Sequence, residues 1–167
     1  MHGKGYRDAE IRLHEDASTV LTFDIPGIPV PKGRPRSRVR GMSFVQVYTD
    51  PKTANWEKHV SSILVLQIAR LQLNEYEIME AVTLPTKSRV AVDLVFNLPK
   101  PKSTPKYVKF PVKSRSDIDN YAKSVLDAMQ RGGLIANDST VTDLTAKKRY
   151  AETPGVIICA TIFPDSI

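Results

Sequence analysis

The sequence predicts an α+β fold, a mixed β-sheet carrying two main helices in the order β-β-α-β-α-β-β within a single domain. Three observations carry this. Residues 19–25, 87–98 and 156–163 are short runs rich in β-branched and aliphatic side chains, as sheet strands require. Residues 51–73 place Trp56, Val60, Ile63, Leu64, Ile68 and Leu71 at helical steps. Residues 118–129 do the same with Ile118, Ala122, Val125, Leu126 and Met129.

The elements follow in order. Residues 1–18 are polar and of mixed charge, which points to a frayed arm or a short extra helix over 9–14, an N-terminal extension before a domain spanning 19–167. Residues 19–25 alternate as a first strand, ended by Pro26, Pro29 and Pro31. Pro31-Lys32-Gly33-Arg34-Pro35-Arg36-Ser37-Arg38-Val39-Arg40 then packs five basic residues without an acid. Its prolines and glycine argue for a loop through Pro35. Residues 43–48 form a second strand, expected to pair with the first as a long hairpin around that loop.

Asp50-Pro51 supplies an N-cap and a proline at the first helical position. In the helix that follows, Val65, Leu66 and Ala69 widen the apolar stripe past one face. Such a helix is buried on two sides, the second covered either by the same chain or by a second subunit. Residues 74–86 read as an irregular link, and 87–98 as a strong third strand. The tract 99–115 is again basic and acid-free, with too many prolines for a central strand. Tyr107 and Phe110 interleave with its lysines. That pattern suits stacking on unpaired bases, but core cover is the expected role of the two rings. Residues 140–150 and 156–163 complete the sheet.

The bulk properties bound the function. A chain of 167 residues is most simply one domain with a sizeable core. A net charge of +6 and a pI near 9.5 point to an anionic partner, with nucleic acid first. A small-molecule substrate is not expected. The one cysteine, Cys159, sits in an apolar run and reads as a small buried hydrophobe. No Cys or His cluster favours zinc. No signal peptide is visible and no apolar stretch could span a bilayer, so no membrane role is expected. The cytosol of a microbe, or of a virus-infected microbe, fits best.

The chemistry gathers at Ser116-Asp117-Ile118-Asp119-Asn120. Two acids two apart converge only if Asp117 lies in the extended lead-in and Asp119 in the first helical turn. Asp119 and Lys123 then share a face. Gly132-Gly133 stops the helix. Asp138 adds a third acid if the Gly-Gly-Leu-Ile-Ala-Asn loop doubles back. Such a set can hold Mg²⁺ or Mn²⁺, hard cations that prefer oxygen ligands. An Asp before a helix is also a common N-cap, and acids in a first turn suit the helix dipole whatever the function.

The pattern Asp117-Ile118-Asp119-Asn120, Lys123, Asp127-Ala128-Met129, followed by Gly132-Gly133-Leu134-Ile135 and Asn137-Asp138, resembles the RusA-type Holliday junction resolvases. The likeness extends through Pro-Lys-Gly-Arg-Pro-Arg at 31–36 and Trp56-Glu57, and covers most of residues 20–163. It implies a homodimeric, Mg²⁺-dependent endodeoxyribonuclease, with Mn²⁺ able to substitute, that makes paired nicks in four-way junction DNA during recombination and repair. It implies Asp117, Asp119 and Asp138 as metal ligands, and these with Lys123 as catalytic residues. Asn137 stands where the family has the first Asp of a pair, which leaves the catalytic second Asp in place. Ser116 stands where members often carry Arg or Pro, with Arg115 one place earlier. Lys32, Arg34, Arg36, Arg38, Arg115 and Lys148 are the expected DNA-contacting cations. The acids and lysine alone also suit a nuclease for flaps or single strands, and the basic tracts suit a protein that binds junctions without cutting.

Overall fold

The structure, a computed structural model, describes residues 9–34, 36–40, 44–80, 82–112 and 117–164. Among the described residues, seven strands and three α-helices follow one another: β1 (Ala9–Leu13), β2 (Thr19–Pro26), β3 (Arg36–Arg40), β4 (Phe44–Tyr48), α1 (Pro51–Asn74), α2 (Tyr76–Glu80), β5 (Val90–Pro99), α3 (Ile118–Arg131), β6 (Val141–Ala151) and β7 (Gly155–Ile162). Five of the strands form one sheet in the order β1-β2-β7-β5-β6. Every neighbouring pair is antiparallel except β5 and β6, so the sheet is mixed as expected. β3 and β4 form a separate antiparallel ribbon.

The core explains the layers. Alternate residues of three strands face one side: Leu21, Phe23 and Ile25 of β2; Val92, Leu94 and Phe96 of β5; Val156, Ile158 and Ala160 of β7. All are essentially inaccessible. Helices α1 and α3 cross over this face and touch each other. α1 contributes Trp56, Val60, Leu64, Ile68 and Leu71; α3 contributes Ala122, Val125, Ala128 and Met129. Asp50 caps α1 by accepting from the Lys52 N–H at 2.9 Å, with Pro51 at the start as its sequence dictates.

Several expectations are corrected. Residues 9–13 are neither a frayed arm nor a helix. Their short alternation, Ala9-Glu10-Ile11-Arg12-Leu13, lets β1 pair with β2 at the sheet edge. The second half of the basic loop is strand β3, and β4 pairs with it rather than with β2. The link after α1 holds the short helix α2. The order is therefore β-β-β-β-α-α-β-α-β-β. Cys159 is half-buried, on the opposite face of β7 from the core residues.

Two features position the functional end. The pairing of β5 with β6 is parallel, so the chain must cross from one end of the sheet to the other between them, and α3 is that crossover. β6 and β7 are joined by a short turn yet lie on either side of β5. On α1, Val65, Leu66 and Leu73 are exposed, 52%, 60% and 83%, so the described chain does not cover the helix's second apolar side. No described helix is long and apolar enough to cross a membrane.

Candidate active site

Asp117 has extended backbone angles, φ −75° and ψ 150°, at the N-cap position of α3. Its carboxylate nevertheless makes no capping hydrogen bond. Asp119 lies in the first turn and Lys123 one turn on, all three exposed. This is the lead-in and first-turn arrangement that the two-residue spacing demands. At its other end α3 stops at Gly132, and Gly133 takes φ +77°, where a Cβ is strained.

The loop beyond then returns. Leu134 and Ile135 are buried, and the chain is pinned by Leu134 N–H to Met129 C=O (3.0 Å) and Ala136 N–H to Thr86 C=O (2.9 Å). Asp138 opens a 3-10 turn, Asp138–Thr140, that packs on α3. Asn137 caps that turn, its Oδ1 accepting from the Ser139 N–H at 2.9 Å. The capping task therefore falls to Asn137, and the Asp138 carboxylate stays exposed and unused.

Among the described residues, the side chains of Asp117, Asp119, Lys123 and Asp138 make no hydrogen bond or ion pair. By contrast, the Asp127 and Asp143 carboxylates are paired with Lys32 and Arg89. Among the described residues no three His, Cys, Asp or Glu side chains come together closely enough to hold a metal ion. The donor set still suits a hard cation in kind: three carboxylates, solvent-facing, with no competing partner.

The basic loop docks against this helix. The Lys32 N–H donates to Asn120 C=O at 2.7 Å, and Ser124 Oγ donates to Val30 C=O at 2.9 Å. From α1, Thr53 Oγ1 donates to Pro31 C=O at 3.1 Å and accepts from Gly33 N–H at 3.2 Å. The loop is thus wedged between the starts of both helices, beside the acids.

Lys32, an expected phosphate contact, is held by carboxylates. Its ammonium lies 2.6 Å from Glu57 Oε1 and 2.6 Å from Asp127 Oδ2. Arg131 adds a contact to Glu57 Oε2 at 3.3 Å. Glu57 is only 2% exposed, so these cations neutralise a buried charge. Burial pulls the Lys32 pKa down, but its hydrogen bonds to Asp127 and Glu57 outweigh this and leave it above the ordinary 10.5. Sequence reading missed this network, although Glu57 and Asp127 stood in the motifs it quoted.

The other expected cations that are described stand on separate elements. Arg34 is exposed on the loop. Arg36 and Arg38 occupy β3, opposite Tyr48 and Gln46. Lys148 stands on β6 opposite Phe96 and lines a cleft beside α3. Arg115 lies outside the described residues. Tyr107 and Phe110 do not cover the core; they are 82% and 61% exposed. Lys109, Lys147 and Arg149 share the cleft with Lys148 and were not singled out by sequence as site residues.

Comparison with known proteins bears on this geometry. The model of the RusA endodeoxyribonuclease family matches residues 26–160. The chain belongs to the RusA family. The match runs from the last residue of β2 through most of β7 and includes all four unpaired residues. Among its relatives is the crossover junction endodeoxyribonuclease RusA of Aquifex aeolicus, 29% identical over 132 residues, covering 78% of this chain and 82% of that protein. Another is the uncharacterised protein YqaN of Bacillus subtilis, 29% identical over 145 residues, covering 81% and 92%.

Proposed function

We propose that this chain is a structure-selective endodeoxyribonuclease that resolves four-way DNA junctions in recombination and repair, in a microbial or phage-infected cytoplasm. The carrying observation is the set of four side chains on α3, its N-cap and the turn after it that make no hydrogen bond or ion pair among the described residues, in a chain of the RusA family. Residues 19–167 are the catalytic unit. Residues 1–18 are an extension whose described part adds β1 to the sheet.

Asp117, Asp119 and Asp138 would hold Mg²⁺, or Mn²⁺ in its place. Three unneutralised carboxylates repel one another, which keeps them from gathering by themselves and gives them affinity for a cation. Bound there, such an ion supplies an activated water and charge stabilisation at the scissile phosphate. Lys123, one turn below Asp119, places its ammonium to stabilise developing negative charge or to orient the water. Arg34, Arg36, Arg38, Arg115 and Lys148 contact backbone phosphates, which positions DNA without reading its sequence. Lys32 acts indirectly, by holding the basic loop on α3.

Two symmetric nicks need two sites at fixed spacing, which a two-fold dimer provides. The exposed Val65, Leu66 and Leu73 on α1 support that assembly.

Substitution tests the site. Asp119→Asn should lower the rate of junction cleavage roughly hundredfold or more, and Lys123→Ala by a comparable factor. Junction binding should persist in both, and Glu152→Gln, at an exposed position in the β6–β7 turn, should cut normally. Undiminished cleavage by Asp119→Asn would remove the acids from the mechanism.

A further inference from the structure

One large cleft enters the reading above only through Lys148. It opens beside the start of α3 and has a volume of about 720 Å³, within the usual range of ligand clefts, about 300–1,000 Å³. Its lining is largely apolar, with Val95 of β5, Phe110 and Val112 of the basic tract, and Ile118 of α3. Lys109, Lys147, Lys148 and Arg149 surround these. The tract is fixed to β6 by the Tyr150 N–H, which donates to Lys109 C=O at 2.9 Å.

Phosphates alone do not call for this combination. A backbone track needs cations, whereas an apolar floor gains nothing from a phosphate. Here Phe110 and Val112 are 61% and 82% exposed, directly among lysines and an arginine. A flat aromatic ligand attached to a polyanion satisfies both halves: its ring covers the apolar surface and its charges meet the cations. Position narrows the choice further. Ile118 lies between Asp117 and Asp119, so the ligand would adjoin the phosphate held at the acids.

We propose that this cleft receives an unstacked nucleobase of the DNA substrate, stacked on Phe110, with Lys109, Lys147 and Arg149 on the flanking phosphates. This rests on the nuclease reading for its substrate and adds a basis for selectivity. A base within linear duplex must leave its stack to enter, which costs free energy, whereas a base at a branch point has less stacking to lose. The cleft would then favour junctions over duplex at the binding step.

The test is photocrosslinking and affinity measured with the full chain carrying Asp119→Asn. The probes are a four-way junction bearing 5-iodouracil at the branch and a linear duplex of the same sequence. The expected crosslink maps to Phe110. Adding Phe110→Ala should abolish it and weaken junction binding roughly tenfold or more while leaving duplex binding unchanged. Phe110→Trp should restore both. Phe110 is exposed, so neither variant threatens the core. Unchanged junction affinity with Phe110→Ala, or an equal loss on junction and duplex, would overturn the proposal. Cleavage by the unsubstituted chain, measured in parallel, keeps the two readings separate. Cutting of junctions without any Phe110 effect rejects only the base cleft. A Phe110-dependent crosslink without cutting under any divalent metal upholds the cleft and rejects the nuclease.

Discussion

Glu57 and Asp119 are carboxylates on two helices that clasp the same loop, and their surroundings give them opposite tasks. Glu57 is buried and held by Lys32 and Arg131; Asp119 is exposed and held by nothing described. A buried carboxylate without its cation is costly, and the break of such a pair costs about 3–5 kcal/mol when both partners are buried. Lys32 retains 28% exposure, which lowers the expectation for Lys32→Met to about 2–3 kcal/mol at neutral pH. The pH dependence follows from the raised pKa. The stabilisation from the lysine is complete below its unfolded value of 10.5 and falls as pH rises through the higher folded value. Urea unfolding of parent and Lys32→Met at neutral pH and again at about pH 11 checks this. The difference should shrink at the alkaline end; a difference absent at neutral pH would remove the network from the account. Sequence showed the candidate acids through their spacing. It did not show that Lys32 faces carboxylates, because a lysine in a basic run gives no sign of a partner 25 or 95 residues away.

At the scale of elements, strands β2, β5 and β7 and helices α1 and α3 were legible because their apolar periods are long and regular. β1 and β3 were not. β1 has five residues and only one of them fully buried; β3 reads Arg-Ser-Arg-Val-Arg, with almost no apolar signal to reveal alternation. Strand pairing was also hidden. The residue pattern of β4 says that it lies in a sheet but not which partner it takes. The antiparallel contact of β2 with β7 has a demand that sequence alone does not display. At Gly155 a Cβ would sit 2.7 Å from the Ile25 carbonyl oxygen, and backbone on both sides must move to admit it. Gly155→Ala should therefore destabilise the fold by about 1–3 kcal/mol, read as a lower urea midpoint at unchanged slope. A midpoint shift worth less than about 0.5 kcal/mol would mean that the two strands separate easily at that end. Tyr107 and Phe110 were misplaced in the core for a related reason. Aromatic type favours burial, but a proline-rich tract anchored at Lys109 turns both rings outward.

Across the whole molecule, the chain carries a net charge of +6, and described cations lie on both the loop and the cleft that adjoin α3. The basic loop is wedged beside α3 on one side, and Lys109, Lys147, Lys148 and Arg149 line the cleft on the other. Such a field would draw a polyanion across the acids, where a divalent ion would offset the local repulsion. The candidate acids and lysine could be proposed from the sequence because their spacing along one helix and one loop is local. The cleft could not be, since it joins residues of β5, the basic tract, α3 and β6. The central claim is metal-dependent cutting of branched DNA, and it is tested most directly by incubating the protein with a synthetic mobile four-way junction beside linear duplex of the same sequence, in Mg²⁺ and in EDTA. The account predicts paired nicks on opposite strands, on the junction alone and only with the metal. Tight junction binding with no nicks in any divalent metal, or cutting that persists in EDTA, would contradict it.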